Sequence, residues 1–300
     1  MFKFFTKLSL KFRRRIEQVN QSLFLNALFS SNTHAISRPP SFPSGHQYWT
    51  AVSSYIKSVL VNNQAHFFND PVVITHLASH DLVTGYRLIK KILKHPVGPS
   101  LLNKCQVSPW GSPYILRKYP SQTPTSASHI ANLLSLIDNF GSNLESIVEF
   151  GGGYGGFARF VALALPSTVI SIVDCEDMLY LQGKYLSSTI NSQNISFFND
   201  VAQLVLPKYD VFNASFSFSE VPLQQRSLIE QCLLSQFNNV HIIFQDNFNG
   251  VDNTVYMREL QNLLTSHGWS VRIRNYEWYE WNSATLLVGS RINSIPGASK

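Results

Sequence analysis

Cysteine is scarce in this chain of 300 residues. There are three, at positions 105, 175 and 232, with no CxxC pair and no Cys/His spacing of a zinc site. That pattern excludes a disulfide scaffold, and reduced thiols in a cytoplasmic protein are the expectation. Long apolar runs are missing too. Phe160 to Leu165 is a typical buried stretch, far short of the ~20 residues a spanning helix needs. The N-terminus has neither the unbroken apolar stretch nor the small-residue cleavage site of a secretory signal. No repeat occurs at solenoid periods and no segment is of low complexity. Charge is sparse, at 14% of residues, and acid is absent from the first fifteen positions, where Lys3, Lys7, Lys11, Arg13, Arg14 and Arg15 stand. Take those six from the 24 basic residues and 18 remain, matching the 18 acids. The net charge of +6 thus belongs to a tail and not to a broad nucleic-acid-binding face, so no nucleic-acid partner is expected.

What is present is apolar content, 44% of residues, enough for a packed core. The first half reads as helices. Phe12, Ile16, Val19, Leu23 and Ala27 step by three or four. With Phe2, Phe4, Phe5 and the basic residues, this segment suits weak contact with an anionic membrane surface. An ordinary helix with a solvated basic face is the favoured reading. Tyr48, Val52, Tyr55, Ile56 and Val59 mark a second helix. Asp70-Pro71 reads as an N-cap with proline in the first turn. Leu82, Tyr86, Ile89 and Leu93 mark another. Residues 96–128, with six prolines, read as an irregular cover segment. A helix follows over Ser128 to Phe140.

The second half alternates. Strands are expected at Ser146–Phe150, Val169–Val173, Ile195–Phe198, Tyr209–Ala214, Val240–Phe244, Val271–Tyr276 and Ala284–Val288. Helices are expected at Met178–Thr189, Leu223–Gln236 and Thr254–Ser266. Such alternation implies a mostly parallel, doubly wound α/β sheet. Seven strands closing on an antiparallel hairpin resemble the Rossmann-like class I methyltransferases. The expected organisation is a helical N-terminal region, 1–127, and a cofactor-binding domain, 128–300.

Glu149-Phe150-Gly151-Gly152-Gly153-Tyr154-Gly155-Gly156 lies between a strand and a helix. The glycines permit a turn closed to other residues and let a ligand approach the main chain. Gly151-x-Gly153-x-x-Gly156 matches the dinucleotide fingerprint. Glu149-x-Gly151-x-Gly153-x-Gly155 matches that for S-adenosylmethionine. Charge separates them, because Glu149 would repel a pyrophosphate and attract an ammonium or sulfonium. Asp174, 21 residues beyond Gly153, could accept both ribose hydroxyls of either cofactor. Asp200 is placed to meet an adenine amino group, or else is a solvated loop acid.

Together with Ile172-Val173-Asp174, Leu181-Gln182-Gly183-Lys184-Tyr185-Leu186-Ser187 and Ser217-Phe218-Ser219-Glu220-Val221-Pro222, the glycine block resembles the bacterial sugar O-methyltransferases of the class I S-adenosylmethionine-dependent superfamily. The resemblance spans about residues 145–290. It implies displacement of a sulfonium methyl by a hydroxyl of a sugar or glycan acceptor, with Glu149, Gly151, Gly153, Tyr154, Gly155, Asp174 and Asp200 at the cofactor. Glu220 and Asp246 follow the fourth and fifth strands and are the candidate bases. Their competing readings are a helix-start acid and a turn residue. His80, His129 and His241 are bases by chemistry, and His129 is the one whose helix could cover the cofactor. Asp174, Glu176 and Asp177 cluster, but no metal is expected. Asn213-Ala214-Ser215-Phe216 is not the Asn/Asp-Pro-Pro-aromatic motif of amino-methylating nucleic-acid enzymes. Tyr276, Trp278, Tyr279 and Trp281 could stack on a sugar or fill the core. Two other functions share the same turn: an NAD(P)-dependent oxidoreductase and a non-catalytic binding module.

Overall fold

Ser146–Phe150 carries Ile and Val at successive positions and is buried on both faces, the pattern of a central parallel strand. In the computed structural model it is β1, an interior strand of a seven-stranded sheet of order β3-β2-β1-β4-β5-β9-β8. The structure describes residues 48–78, 81–191, 193–279 and 284–292. The strands are β2 (Val169–Val173), β3 (Ile195–Phe198), β4 (Tyr209–Ser215), β5 (Phe237–Gln245), β8 (Trp269–Asn275) and β9 (Ala284–Arg291). β1 to β5 run parallel, while β9 lies antiparallel to both β5 and β8. This is the mostly parallel seven-stranded sheet with an antiparallel last strand that the strand pattern leads one to expect. Among the described residues no helix is long and apolar enough to cross a membrane.

Side chains alternate across the sheet as the pleat requires. Ile147 joins one core and Val148 the other; Leu286 and Val288 part likewise from Leu287. The first face is covered by α1 (Tyr48–Asn63), α2 (Pro71–His76), α3 (Leu82–Ile92), α4 (Gly98–Lys104), α5 (Pro124–Phe140), α6 (Gly156–Ala164) and α7 (Glu176–Thr189). The second is covered by α9 (Leu223–Gln236) and α10 (Asn253–Ser266), with the single turn α8 (Ser217–Glu220) before them.

Asp70 caps α2 as expected, accepting from the backbone N–H of Val72 at 2.8 Å and of Val73 at 3.2 Å. Residues 96–128 are less irregular than their prolines suggest. Pro99 and Pro124 stand in the first turns of α4 and α5, where no N–H is needed. A capping box between Thr123 and Ser126 starts α5 four residues before the expected Ser128. β5 also begins earlier, at Phe237, directly after α9, because Phe237 stacks on Tyr209 of β4. An Asn249-Gly250 turn, both residues at positive φ, joins the small strands β6 (Asn247–Phe248) and β7 (Val251–Asp252), which the sequence reading did not include. The amphipathic segment at 12–27 and the basic tail lie outside the described residues.

Candidate functional site

Register brings the candidate residues to one edge. Phe150 pairs with Val173 on one side and Ala214 on the other, so Gly151, Asp174 and Ser215 emerge side by side from β1, β2 and β4. Sheet order reverses between β1 and β4, which is where open α/β sheets bind ligands. Gly151 has φ +71°, and a Cβ there would lie 2.2 Å from the Cβ of Ser217, so neither conformation nor space admits another residue. Ser217 in turn donates its hydroxyl to the carbonyl of Phe150. At Gly153 the only atom of the described residues near an added Cβ is Cδ2 of Leu77, 4.0 Å away. Gly155, at φ +91°, leads into α6.

Two carboxyls face this turn. Glu149 is 5% exposed and its Oε2 has no hydrogen-bond partner. Burial, the neighbouring Asp174 charge and an opposing bond from the Ala158 backbone leave its pKa well above the usual range. Asp174 is half-buried, and burial pushes its pKa up to about 6 against hydrogen bonds from its surroundings. Its Oδ1 accepts from the Cys175 N–H at 2.8 Å and its Oδ2 from Gln182 Nε2, also at 2.8 Å. The same Gln182 nitrogen donates to the Gly153 carbonyl at 3.0 Å, tying the acid to the turn, while its Oε1 is buried without a partner. Gln182 is absent from the expected site residues. Its one sequence signal is its place in the Leu-Gln-Gly block.

Tyr154 turns its ring inward, 5% exposed, against Phe68, Tyr185 and His129. Asp200 is exposed and caps a short 3-10 turn through the Ala202 N–H at 2.9 Å.

At the ends of β4 and β5 the chain is strained. Phe216 holds φ +68°, unusual for a bulky residue, with its N–H on the Ile243 carbonyl at 2.6 Å. Glu220 follows at the end of α8. It caps nothing: α9 starts after Pro222 with no side-chain cap bond. Gln245 Nε2 donates to Glu220 Oε1 at 3.2 Å, and Trp49 from α1 adds a second bond. Burial nevertheless raises the Glu220 pKa to about 7. Tyr48, Trp49, His76 and Phe248 gather beside it in edge-to-face contacts. Nothing local in the sequence singles out Tyr48, Trp49 or His76. Asp246 is half-buried after β5; its carbonyl accepts from the Asn253 N–H at 2.8 Å and its Oδ1 from Thr285 Oγ1 at 3.5 Å.

The remaining candidates have other duties. Burial holds His129 at a pKa of about 4, among Tyr154, Phe157 and Phe160. His241 is fully buried, with a pKa near 3, between Ser135 at 2.8 Å and Asn213 at 3.0 Å. Asp177 pairs with Lys57 at 2.7 Å, and Glu176 meets Asn199, so the acids after Asp174 diverge. Tyr276 and Trp278 fill the core, while Tyr279 packs on Phe216. His80 and Trp281 lie outside the described residues.

No family model matches the chain, and no curated protein matches it. Among solved structures, the mitomycin 7-O-methyltransferase MmcR is similar at 12% identity over 82% of this chain and 69% of its own, with a TM-score of 0.43. Human N-acetylserotonin methyltransferase, in complex with S-adenosylmethionine, is similar at 14% identity over 55% of this chain and 52% of its own, TM-score 0.40. The methyltransferase domain of a bacterial CtHen1 is similar at 13% identity over 53% of this chain and 95% of its own, TM-score 0.43. Likeness this distant concerns the fold alone; the strand order is what defines the architecture.

Proposed function

We propose that the protein is an S-adenosylmethionine-dependent O-methyltransferase acting on a hydroxyl of a sugar or glycan. The observation that carries this reading is the Glu149–Asp174 pair at the glycine turn: two buried or half-buried carboxyls, both held above their usual pKa, one with an unpartnered oxygen. No cation of the described chain is bonded to either. A positively charged nucleoside supplies what they lack, whereas a diphosphate meets repulsion as soon as either ionises. The turn at Gly151 to Gly155, with Glu149 and Asp174, would hold that nucleoside.

When bound, S-adenosylmethionine supplies a methyl group on a sulfonium, ready for in-line attack by oxygen. Glu220 would take the proton of the attacking hydroxyl. A base poised near neutral pH is suited to that task, and general-base catalysis contributes ~10²–10⁴-fold. The bonds from Gln245 and Trp49 fix the carboxyl in position. Asp246 is the alternative base. The choice of a sugar rests on the resemblance in the glycine, Leu-Gln-Gly and Ser-Phe-Ser-Glu blocks.

The test is transfer of labelled methyl groups to a panel of free, nucleotide-linked and lipid-linked sugars. The expected result is transfer that falls ~10²–10⁴-fold in Glu220→Gln and, in the wild type, declines below about pH 7. Hydride exchange with a nicotinamide cofactor, without methyl transfer, would establish the oxidoreductase instead.

A further inference from the structure

Arg226 on α9 is 1% exposed, yet no carboxylate of the described residues lies within salt-bridge distance of it. Nε and Nη2 of its guanidinium donate mostly to main chain, and Nη1 is buried with no partner among the described residues. Nε donates to the Val221 carbonyl at 2.8 Å, and Nη2 to the Ser219 carbonyl at 2.9 Å, the carbonyls of the residues on either side of Glu220. Nη2 also reaches Oδ1 of Asn253, again at 2.9 Å. Asn253, itself fully buried, passes the connection on: its Nδ2 donates to the Gln245 carbonyl at 3.1 Å. The Gln245 side chain closes the circuit on the Glu220 carboxyl at 3.2 Å. Below, the guanidinium lies 4.4 Å from the ring centre of Tyr256, whose hydroxyl is bonded to Glu230, so the cation is held by a face as well as by edges.

Burying a guanidinium this deeply is costly, and interior arginines usually meet a carboxylate. Here the forked donor set serves two carbonyls spaced around one residue, a task for which the single ammonium of lysine has the wrong shape. Burial raises the pKa of the Glu220 carboxyl, the bonds from Gln245 and Trp49 oppose the rise, and Tyr48 faces it from α1. The connection shown is a chain of hydrogen bonds.

We infer that Arg226 is a positioning residue: through the Ser219 and Val221 carbonyls and through Asn253–Gln245 it holds Glu220 in its half-buried place at the ends of β4 and β5. This deepens the reading of Glu220 as the base and rests on it. Loosening the clamp should let the α8 turn open to water, and a carboxyl regaining water returns toward its ordinary pKa.

The test is a titration of the Glu220 carboxyl by carbon-13 NMR on glutamate-labelled full chain, assigned with Glu220→Gln. It is run on the wild type, Arg226→Lys and Asn253→Ser, alongside melting curves and calorimetry with S-adenosylhomocysteine. The expected result is a wild-type midpoint near 7 that drops by at least ~1 pH unit in each folded variant. A midpoint that stays in place in a folded variant of either kind overturns the clamp, and one variant suffices if the other fails to fold. Lack of S-adenosylhomocysteine binding by the wild type would remove the methyltransferase reading and leave the NMR result to decide the clamp by itself.

Discussion

Asp174 makes ligand affinity depend on acidity over a range that can be stated in advance. Its pKa is raised to about 6 because the end of β2 removes water from it, although Cys175 and Gln182 donate to it. A ribose hydroxyl needs the ionised form as acceptor. One pH unit above the midpoint about ten-elevenths of the chains carry it; one unit below, about one-eleventh do. Affinity for S-adenosylhomocysteine should therefore weaken about tenfold between pH 7 and pH 5 from this group alone. Glu149 lies close enough for each charge to be felt by the other, so the wild type titrates as a pair. Glu149→Gln isolates the Asp174 step. Calorimetry at the two pH values is the assay. The tenfold slope should persist in Glu149→Gln and vanish in Glu149→Gln/Asp174→Asn. Equal affinity at both pH values in Glu149→Gln, or an unchanged slope in the double variant, refutes the reasoning.

The same raised pKa has a stability consequence. The folded chain holds the Asp174 proton more tightly than the unfolded chain, so this contribution is complete below about pH 4 and is lost as pH rises through about 6. Thermal melts of the unliganded protein should show Asp174→Asn gaining on the wild type between pH 5 and pH 7. Gly151→Ala should abolish nucleoside binding and lower the melting temperature. Adding Ser217→Gly should recover part of that loss by removing the 2.2 Å clash, leaving the left-handed φ cost of ~1–2 kcal/mol. Ser135→Ala strips the buried His241 Nε2 of its 2.8 Å partner, and chemical denaturation should register a loss of about 1–3 kcal/mol without a change in nucleoside affinity.

Much of this architecture is written locally. β1 to β4 are short apolar runs bounded by glycine, proline or acid, and period and punctuation suffice to find them. The glycine turn and Asp174 are legible for the same reason: a bare backbone after one strand and an acid at the end of the next are features of a few adjacent residues. The opposite end of the site is not local. Glu220 owes its raised pKa to burial, and the bonds that hold it come from Gln245, 25 residues on, and from Trp49, far upstream in α1. Arg226 and Asn253 look like ordinary helix residues until α9 and α10 are packed on the sheet. The ring of Tyr154 is likewise not placed by local sequence: it packs against Phe68 and Tyr185. Prolines misled in the segment 96–128 because position within a turn, not proline count, decides whether a helix can start.

The most direct test of the central claim is a neutral-pH titration of the full chain with S-adenosylhomocysteine and, separately, with NAD. A carboxyl-lined turn that selects a cationic nucleoside over a diphosphate should give saturable binding of one S-adenosylhomocysteine per chain and none of NAD. Binding of NAD with no uptake of S-adenosylhomocysteine would contradict the account.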